Sequence, residues 1–246
     1  MFSALKTHPF AVDAHFAHSL VLAFAVPRAE IEGMLPPCLE PDLFQDKWAF
    51  VVVALVETKG LRPAGFPGFL GSNFILIGYR VFVRYTTLSG QHLRGLYILR
   101  SETNRKRMEW LGTLFTQYRY HTTDIRQTVG EGKLIAESKE TGFRIEVKTD
   151  GEDVPLPPGS PFENWTEARR FAGPMPFTFS YLAEQKKVLI VEGVRENWKP
   201  RPVAVVGHHI PFLESLKLKQ AVLANAFIIS DIPYHWKKGR VEPWKP

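Results

Sequence analysis

A mainly β chain with a few helices, an α+β arrangement dominated by strands, is what this sequence predicts, on three observations. Short apolar runs rich in β-branched residues recur between turn residues along most of its 246 positions. One of them, Phe74 to Tyr85, alternates regularly enough to fix which residues share a face. Helical periodicity, by contrast, is confined to two stretches.

The runs His18 to Val26 and Lys47 to Glu57 are apolar throughout most of their length, as suits strands covered on both faces. Between them Pro27 opens "PRAEIEGML", a short helix that Pro36 and Pro37 would end. In Phe74 to Tyr85 the alternation puts Arg80, Phe82 and Arg84 on one face and Tyr79, Val81 and Val83 on the other. Two arginines on a strand face need a polar destination, either an acid across the sheet such as Glu57 or Glu102, or a bound anion. Gly95 to Arg100 follows a turn at Ser89-Gly90 and pairs as a hairpin with the preceding strand. A helix then starts near Asn104, with Met108, Leu111, Phe115 and Tyr118 forming one apolar stripe. Further strands are predicted at Gly142 to Thr149 and in "KKVLIVEGV", "RPVAVVG" and "AVLANAFII". The proline-rich stretches Leu61 to Gly71 and Gly151 to Trp165 read as loops. Neither an internal repeat nor a change of composition separates the two halves, so residues 1–246 are read as a single domain.

Composition narrows the classes of partner. A 45% hydrophobic content excludes bulk disorder, and the net charge of +6 favours anions in general. The basic residues are mixed with acidic ones and form no tail, which sets nucleic acid behind a small organic acid as the partner. Cys38 has no second cysteine to pair with and fits a reducing compartment. The apolar "SLVLAFA" is preceded by Asp13, His15 and His18, unlike a secretory leader, and the run from Trp48 is cut off by Glu57 well short of the ~20 residues of a spanning helix. A cytoplasmic protein with no membrane partner is expected, and a homo-oligomer is left open.

Several chemistries have no motif to carry them. There is no Gly-x-Ser-x-Gly elbow and no glycine-rich phosphate loop of either common type. Asp13, His15 and His18 are competent metal ligands, but on a strand the two histidines diverge, and neither a metal nor another cofactor is expected. The segment "GLYILRSETNRKRMEWLG" stands out instead, because it sets Lys106 between Arg105 and Arg107 as a strand passes into a helix. Flanking cations lower a lysine's pKa, and the neutral amine is the nucleophile that attacks a ketone to form a Schiff base. Lys106 is therefore the candidate catalytic residue, with Arg80, Arg84, Arg100, Arg105 and Arg107 as candidates for holding a substrate carboxylate. The helical phase turns Lys106 nearly opposite the apolar stripe, so it reaches a pocket only if the start of the helix opens into one. The competing readings are a solvated basic face, a non-catalytic sensor using the same cavity, and a basic surface for nucleic acid.

The order "HSLVLAFAVPRAEIEGMLPPCLEPDLFQDKWAFVVVALVETKGLRPAGFP", "SNFILIGYRVFVRY", "GLYILRSE", and later "RRFAGPMPFTFSY" and "YHWKKGRVE", resembles the YqjF-like family of uncharacterised bacterial proteins, grouped with the acetoacetate decarboxylase-like superfamily. The resemblance implies a closed, cone-like β-barrel with an internal cavity and a few outer helices. It implies a decarboxylase-like lyase using a lysine Schiff base, places that lysine at Lys106 in "NRKRM", and matches Arg80 to a family arginine. It departs where Thr103, Asn104 and Arg105 replace the glycine and proline of the catalytic segment, and where Leu76 stands in place of an acid.

Overall fold

A computed structural model of the chain describes residues 6–196 and 198–245. Its strands are β1 (Val12–Pro27), β2 (Glu40–Pro41), β3 (Trp48–Pro63), β4 (Ser72–Thr86), β5 (His92–Thr103), β6 (Tyr120–Thr122), β7 (Arg126–Gly130), β8 (Lys133–Glu137), β9 (Arg144–Lys148), β10 (Phe177–Leu182), β11 (Lys187–Arg195), β12 (Arg201–Pro202), β13 (Ala204–His209), β14 (Val222–Trp236) and β15 (Arg240–Pro243). Three α-helices accompany them: α1 (Lys106–Phe115), α2 (Trp165–Ala172) and α3 (Pro211–Ser215). The mainly β expectation holds, and each strand read from the sequence falls on an observed one.

The long strands make a sheet that closes on itself. Going round, β14, β1, β3, β4, β5, β10 and β11 succeed one another, and β11 returns to β14. The ladders differ greatly in length. β1 pairs with β14 from Val12 opposite Trp236 to Ala25 opposite Val222, whereas β11 meets β14 only from Gly193 opposite Trp236 to Arg195 opposite Tyr234. The parallel contact of β5 with β10 is equally short, Gly95 to Tyr97 against Phe177 to Phe179.

Alternation sorts residues between the two faces of this ring. Outward go Leu20, Leu22, Val51, Val53, Leu55, Ile77 and Tyr79, all buried because a second, four-stranded sheet in the order β13, β9, β8, β7 covers them with Leu134, Ala136, Ile145 and Val147. This is why β1 and β3 read as continuous apolar runs: both of their faces are covered. Inward go Phe50, Val52 and Phe82, which pack with Phe44, Phe162, Ala168 and Ala172 so that α2 and its aromatic neighbours fill one end of the ring. At the other end Met108 of α1 packs with Phe74, Tyr118 and Tyr120.

Two departures have local causes. The helix expected at "PRAEIEGML" is a pair of 3-10 turns, Arg28–Glu30 and Glu32–Met34, with Ile31 between them fully buried. Gly33 and the following prolines leave no room for a second hydrogen-bonded turn. Helix α2 lies at the end of a proline-rich loop, and its signal is an Asn-x-x-Glu box: Asn164 Oδ1 accepts from the Glu167 N–H at 3.0 Å, while Glu167 Oε2 accepts from the Glu163 N–H at 2.8 Å.

Candidate ligand-binding site

A row of small side chains crosses the ring midway between its filled ends. Val21 of β1 lies opposite Ala54 of β3, Ala54 opposite Gly78 of β4, and Gly78 opposite Ser101 of β5. Where larger residues would meet across the interior, this row leaves a void. A chamber of ≈130 Å³ opens there, its wall including Ser19, Ala54, Arg80, Ser101, Tyr118, Tyr120, Thr178, Arg195 and Tyr234. A second lobe of ≈360 Å³ continues past α1, and the two share Phe16, Val56, Leu76, Arg80, Tyr118, Tyr120 and Trp236 as common wall. The larger groove along α2, ≈990 Å³, is an open surface feature whose Arg94 is already paired with Asp42 at 2.6 Å.

Arg80 dominates the chamber. Its guanidinium folds back along β4 over Gly78, where a Cβ would come within 2.8 Å of Nε and 2.9 Å of Nη2. Nε is buried without a hydrogen-bond partner among the described residues, of which no carboxylate or lysine lines either lobe. Burial lowers the Arg80 pKa, Tyr234, Tyr120 and Tyr118 work in the opposite direction, and Arg195 adds to the lowering. Arginine nevertheless stays protonated across the physiological range, so the chamber wall carries two cations, Arg80 and Arg195, with no acid among its described residues.

The phenols around it are held by specific packing. The Tyr120 ring lies against Gly112 of α1, where a Cβ would approach to 2.2 Å, and the Tyr234 hydroxyl occupies the space a Cβ on Gly193 would need. Burial raises the Tyr120 pKa to about 12 and raises that of Tyr118 as well, so both present neutral O–H groups. The Tyr118 hydroxyl is buried beside Thr178. Arg195 shares with Arg80 a buried Nε without a partner but differs at its Nη atoms: Nη2 donates to the Pro174 carbonyl at 2.6 Å, and Nη1 to that of Met175 at 3.2 Å and to the Tyr234 hydroxyl at 3.4 Å.

The other candidates from the sequence are scattered. Arg84 is exposed at the far end of β4, 3.8 Å from Asp42. Arg100 is turned to the outer face, where Nε lies 2.9 Å from Glu102 and the guanidinium stacks over Phe212. A bulge causes this: Arg80 is opposite Ile98 but Tyr79 is opposite Arg100, so Leu99 is an extra residue that reverses the phase of β5. Lys106 is the first residue of α1, exposed, and lines neither lobe; Arg105 before it is exposed as well. Arg107 is exposed at the rim of the outer lobe. Of α1, Arg107, Met108, Leu111, Gly112 and Phe115 line the outer lobe, so the start of the helix reaches its rim through Arg107 and not through Lys106.

The histidines of "DAHFAH" are engaged separately, His15 with Asp231 at 2.9 Å, His18 with Gln127 at 3.2 Å, and Asp13 with His235 at 2.6 Å. Among the described residues no group of three or more His, Cys, Asp or Glu side chains converges. Nor is any described helix long and apolar enough to cross a membrane.

Tyr118, Tyr120, Arg195 and Tyr234 were not singled out as site residues by the sequence. Tyr118 was read as part of a helical stripe, yet α1 ends at Phe115 and the tyrosine reaches the chamber from the segment beyond. Gly78 did carry a signal, since an isolated glycine in an apolar strand marks a close approach.

Comparisons with known proteins bear on the fold and the family. No curated protein matches the chain in sequence. Among solved structures, an acetoacetate decarboxylase from Legionella pneumophila superposes with a TM-score of 0.61 at 12% identity, covering 94% of this chain and 87% of that one. An acetoacetate decarboxylase-like enzyme from Sphingomonas wittichii gives 0.62 at 11% identity over 96% and 94%. The enduracididine biosynthesis enzyme MppR, complexed with pyruvate, gives 0.58 at 12% identity over 95% and 90%. At these identities the likeness concerns the fold, which is acetoacetate decarboxylase-like. The model of an uncharacterised conserved family covers residues 13–232, nearly the whole closed sheet, and the chain therefore belongs to DUF2071, the uncharacterised conserved protein family COG2071.

Proposed function

We propose that the protein binds a small organic acid inside the ring, with the carboxylate paired to Arg80 and hydrogen-bonded by the phenols of Tyr118 and Tyr120. One observation carries this reading: the Arg80 guanidinium is sequestered at the junction of two cavity lobes with no acid to neutralise it. An unpaired buried ion costs several kcal/mol, a cost that a functional anion site recovers when its ligand binds. The pyruvate held by MppR in a fold of the same kind supports a carboxylate as the class of ligand.

Binding is non-covalent in this reading. Among the described residues no lysine lines either lobe, and Lys106 is exposed, which supports binding without a lysine imine. The buried lone Cys38 fits the reducing cytoplasm, where we place the protein. Of the exposed cluster Arg105, Lys106 and Arg107, the first two line neither lobe and are left out of this reading.

Acetate and pyruvate titrated against the protein, followed by calorimetry and by the fluorescence of Trp236, should bind. Arg80→Met should weaken them by on the order of 10- to 100-fold, the usual loss for a charged hydrogen-bonded partner, with circular dichroism unchanged. Pyruvate with cyanoborohydride should leave the intact mass unaltered. A reduced adduct on Lys106 would restore the covalent mechanism, and undiminished binding by Arg80→Met would remove the assignment of Arg80.

A further inference from the structure

The outer lobe has a chemistry the carboxylate does not use. Its wall is built from Phe10, Phe74, Met108, Leu111 and Phe115, continuing past Trp236 to the rim. Much of the polar capacity on it is spent on the protein itself: Arg62 donates to the carbonyls of Phe66 at 3.0 Å and Gly60 at 2.9 Å, and the Thr116 hydroxyl to that of Gly112 at 2.7 Å. Burial lowers the His8 pKa, which keeps that ring neutral. Arg107 is the charged side chain left at the rim.

The mouth extends the same character outward. Phe66 and Leu70, 54% and 46% exposed, belong to the wall, and Phe69 between them is 85% exposed. Three of the eight exposed large hydrophobic residues described thus fall within one five-residue stretch, a concentration that marks an apolar binding surface. A short keto acid would fill the inner chamber around Arg80 and leave this lobe to water against aromatic walls, an unfavourable arrangement.

We propose that the natural ligand is an amphiphilic monocarboxylic acid whose head group pairs with Arg80 and whose hydrocarbon or aryl tail fills the outer lobe toward Phe66 and Leu70. The inference rests on the anion reading above and adds the class of ligand to it. Arg80 belongs to the wall of both lobes, so one molecule with its charge at the junction occupies them together. A cavity of this size with mostly apolar walls and one convergent polar cluster is the usual form of a small-molecule site.

The test is a chain-length series on the full chain: acetate, butanoate, hexanoate, octanoate and decanoate, with 1-octanol as the uncharged control. Affinity should rise about fourfold per methylene until the tail reaches the mouth, and then level off. Octanoate should bind more tightly than 1-octanol, and that advantage should disappear in Arg80→Met or, should that variant fold poorly, in Gly78→Ala. A flat series, with acetate bound as well as octanoate and through Arg80, would overturn the tail while keeping the anion site. Octanol bound as tightly as octanoate would overturn the head-group assignment. Absence of binding by every acid in a folded protein would remove the anion reading and this inference with it.

Discussion

Gly78 and Arg80 act as a pair, because a guanidinium that lies back across its own strand needs the Cβ two residues earlier to be missing. An added methyl at Gly78 would fall 2.8 to 2.9 Å from Nε and Nη2, and the flexible end of Arg80 is the part that yields. Gly78→Ala should therefore fold normally, with a melting temperature at or slightly above that of the parent since glycine is costly within a strand, yet bind carboxylates at least tenfold more weakly. Titration by calorimetry beside a thermal melt checks both halves, and an unfolded variant would show that backbone, not Arg80, fills the space. At this scale the sequence was legible where alternation applied: Arg80 and Phe82 share a face as the pattern of β4 requires. It was not legible for Tyr118 and Tyr234, which meet Arg80 from segments 38 and 154 residues further along the chain, a proximity that only the closed ring creates.

Helix α1 begins unfavourably and ends well. Its first residues are Arg105 at the cap, Lys106 and Arg107, three cations at the positive end of the helix dipole, and no side chain caps the free N–H groups. Its end is closed by Thr116, whose hydroxyl donates to Gly112. Arg105 already has the extended backbone that a capping residue adopts, φ −132° and ψ 114°. Arg105→Ser should therefore stabilise the protein by about 1 kcal/mol and raise its melting temperature by ~2–4 °C. Because Arg105 lies outside both lobes, carboxylate affinity should stay as it is; a loss would bring the basic cluster into the site. The helix was visible from its apolar stripe, and the stripe does face the cavity wall through Met108, Leu111 and Phe115. What periodicity cannot register is a bulge: Leu99 shifts β5 by one residue, and Arg100, read as a pocket residue, goes outward to Glu102.

The whole molecule is a ring of unequal strength. From β14 through β1 and β3 to β5 the ladders run nearly the full length of their strands, while β5 to β10 and β11 to β14 are each joined over a few residues. Local opening follows the shortest ladders. Hydrogen exchange followed by mass spectrometry should find the amides of Phe177–Phe179 and Gly193–Arg195 exchanging well before those of Leu20–Val26, and a saturating carboxylate should slow the first group because Thr178 and Arg195 line the chamber. Uniform protection would mean that the ring opens only by global unfolding. The closure itself was beyond the reach of the residues taken alone, since strands can be read one by one but the return of β11 to β14 joins residues far apart in the chain; the family resemblance supplied it.

The extra residue at Leu99 decides how much of the interior stays open. In an unbulged β5 the regular ladder would carry Glu102 to the inner face opposite Leu76, into the position Thr103 now holds. Arg100 would come inward with it, opposite Gly78, and the two long side chains would occupy the space that Gly78 and Ser101 now leave open. By inserting one residue the strand turns the Arg100–Glu102 ion pair outward and leaves the small Ser101 opposite Gly78, so the chamber owes its volume to a single added residue.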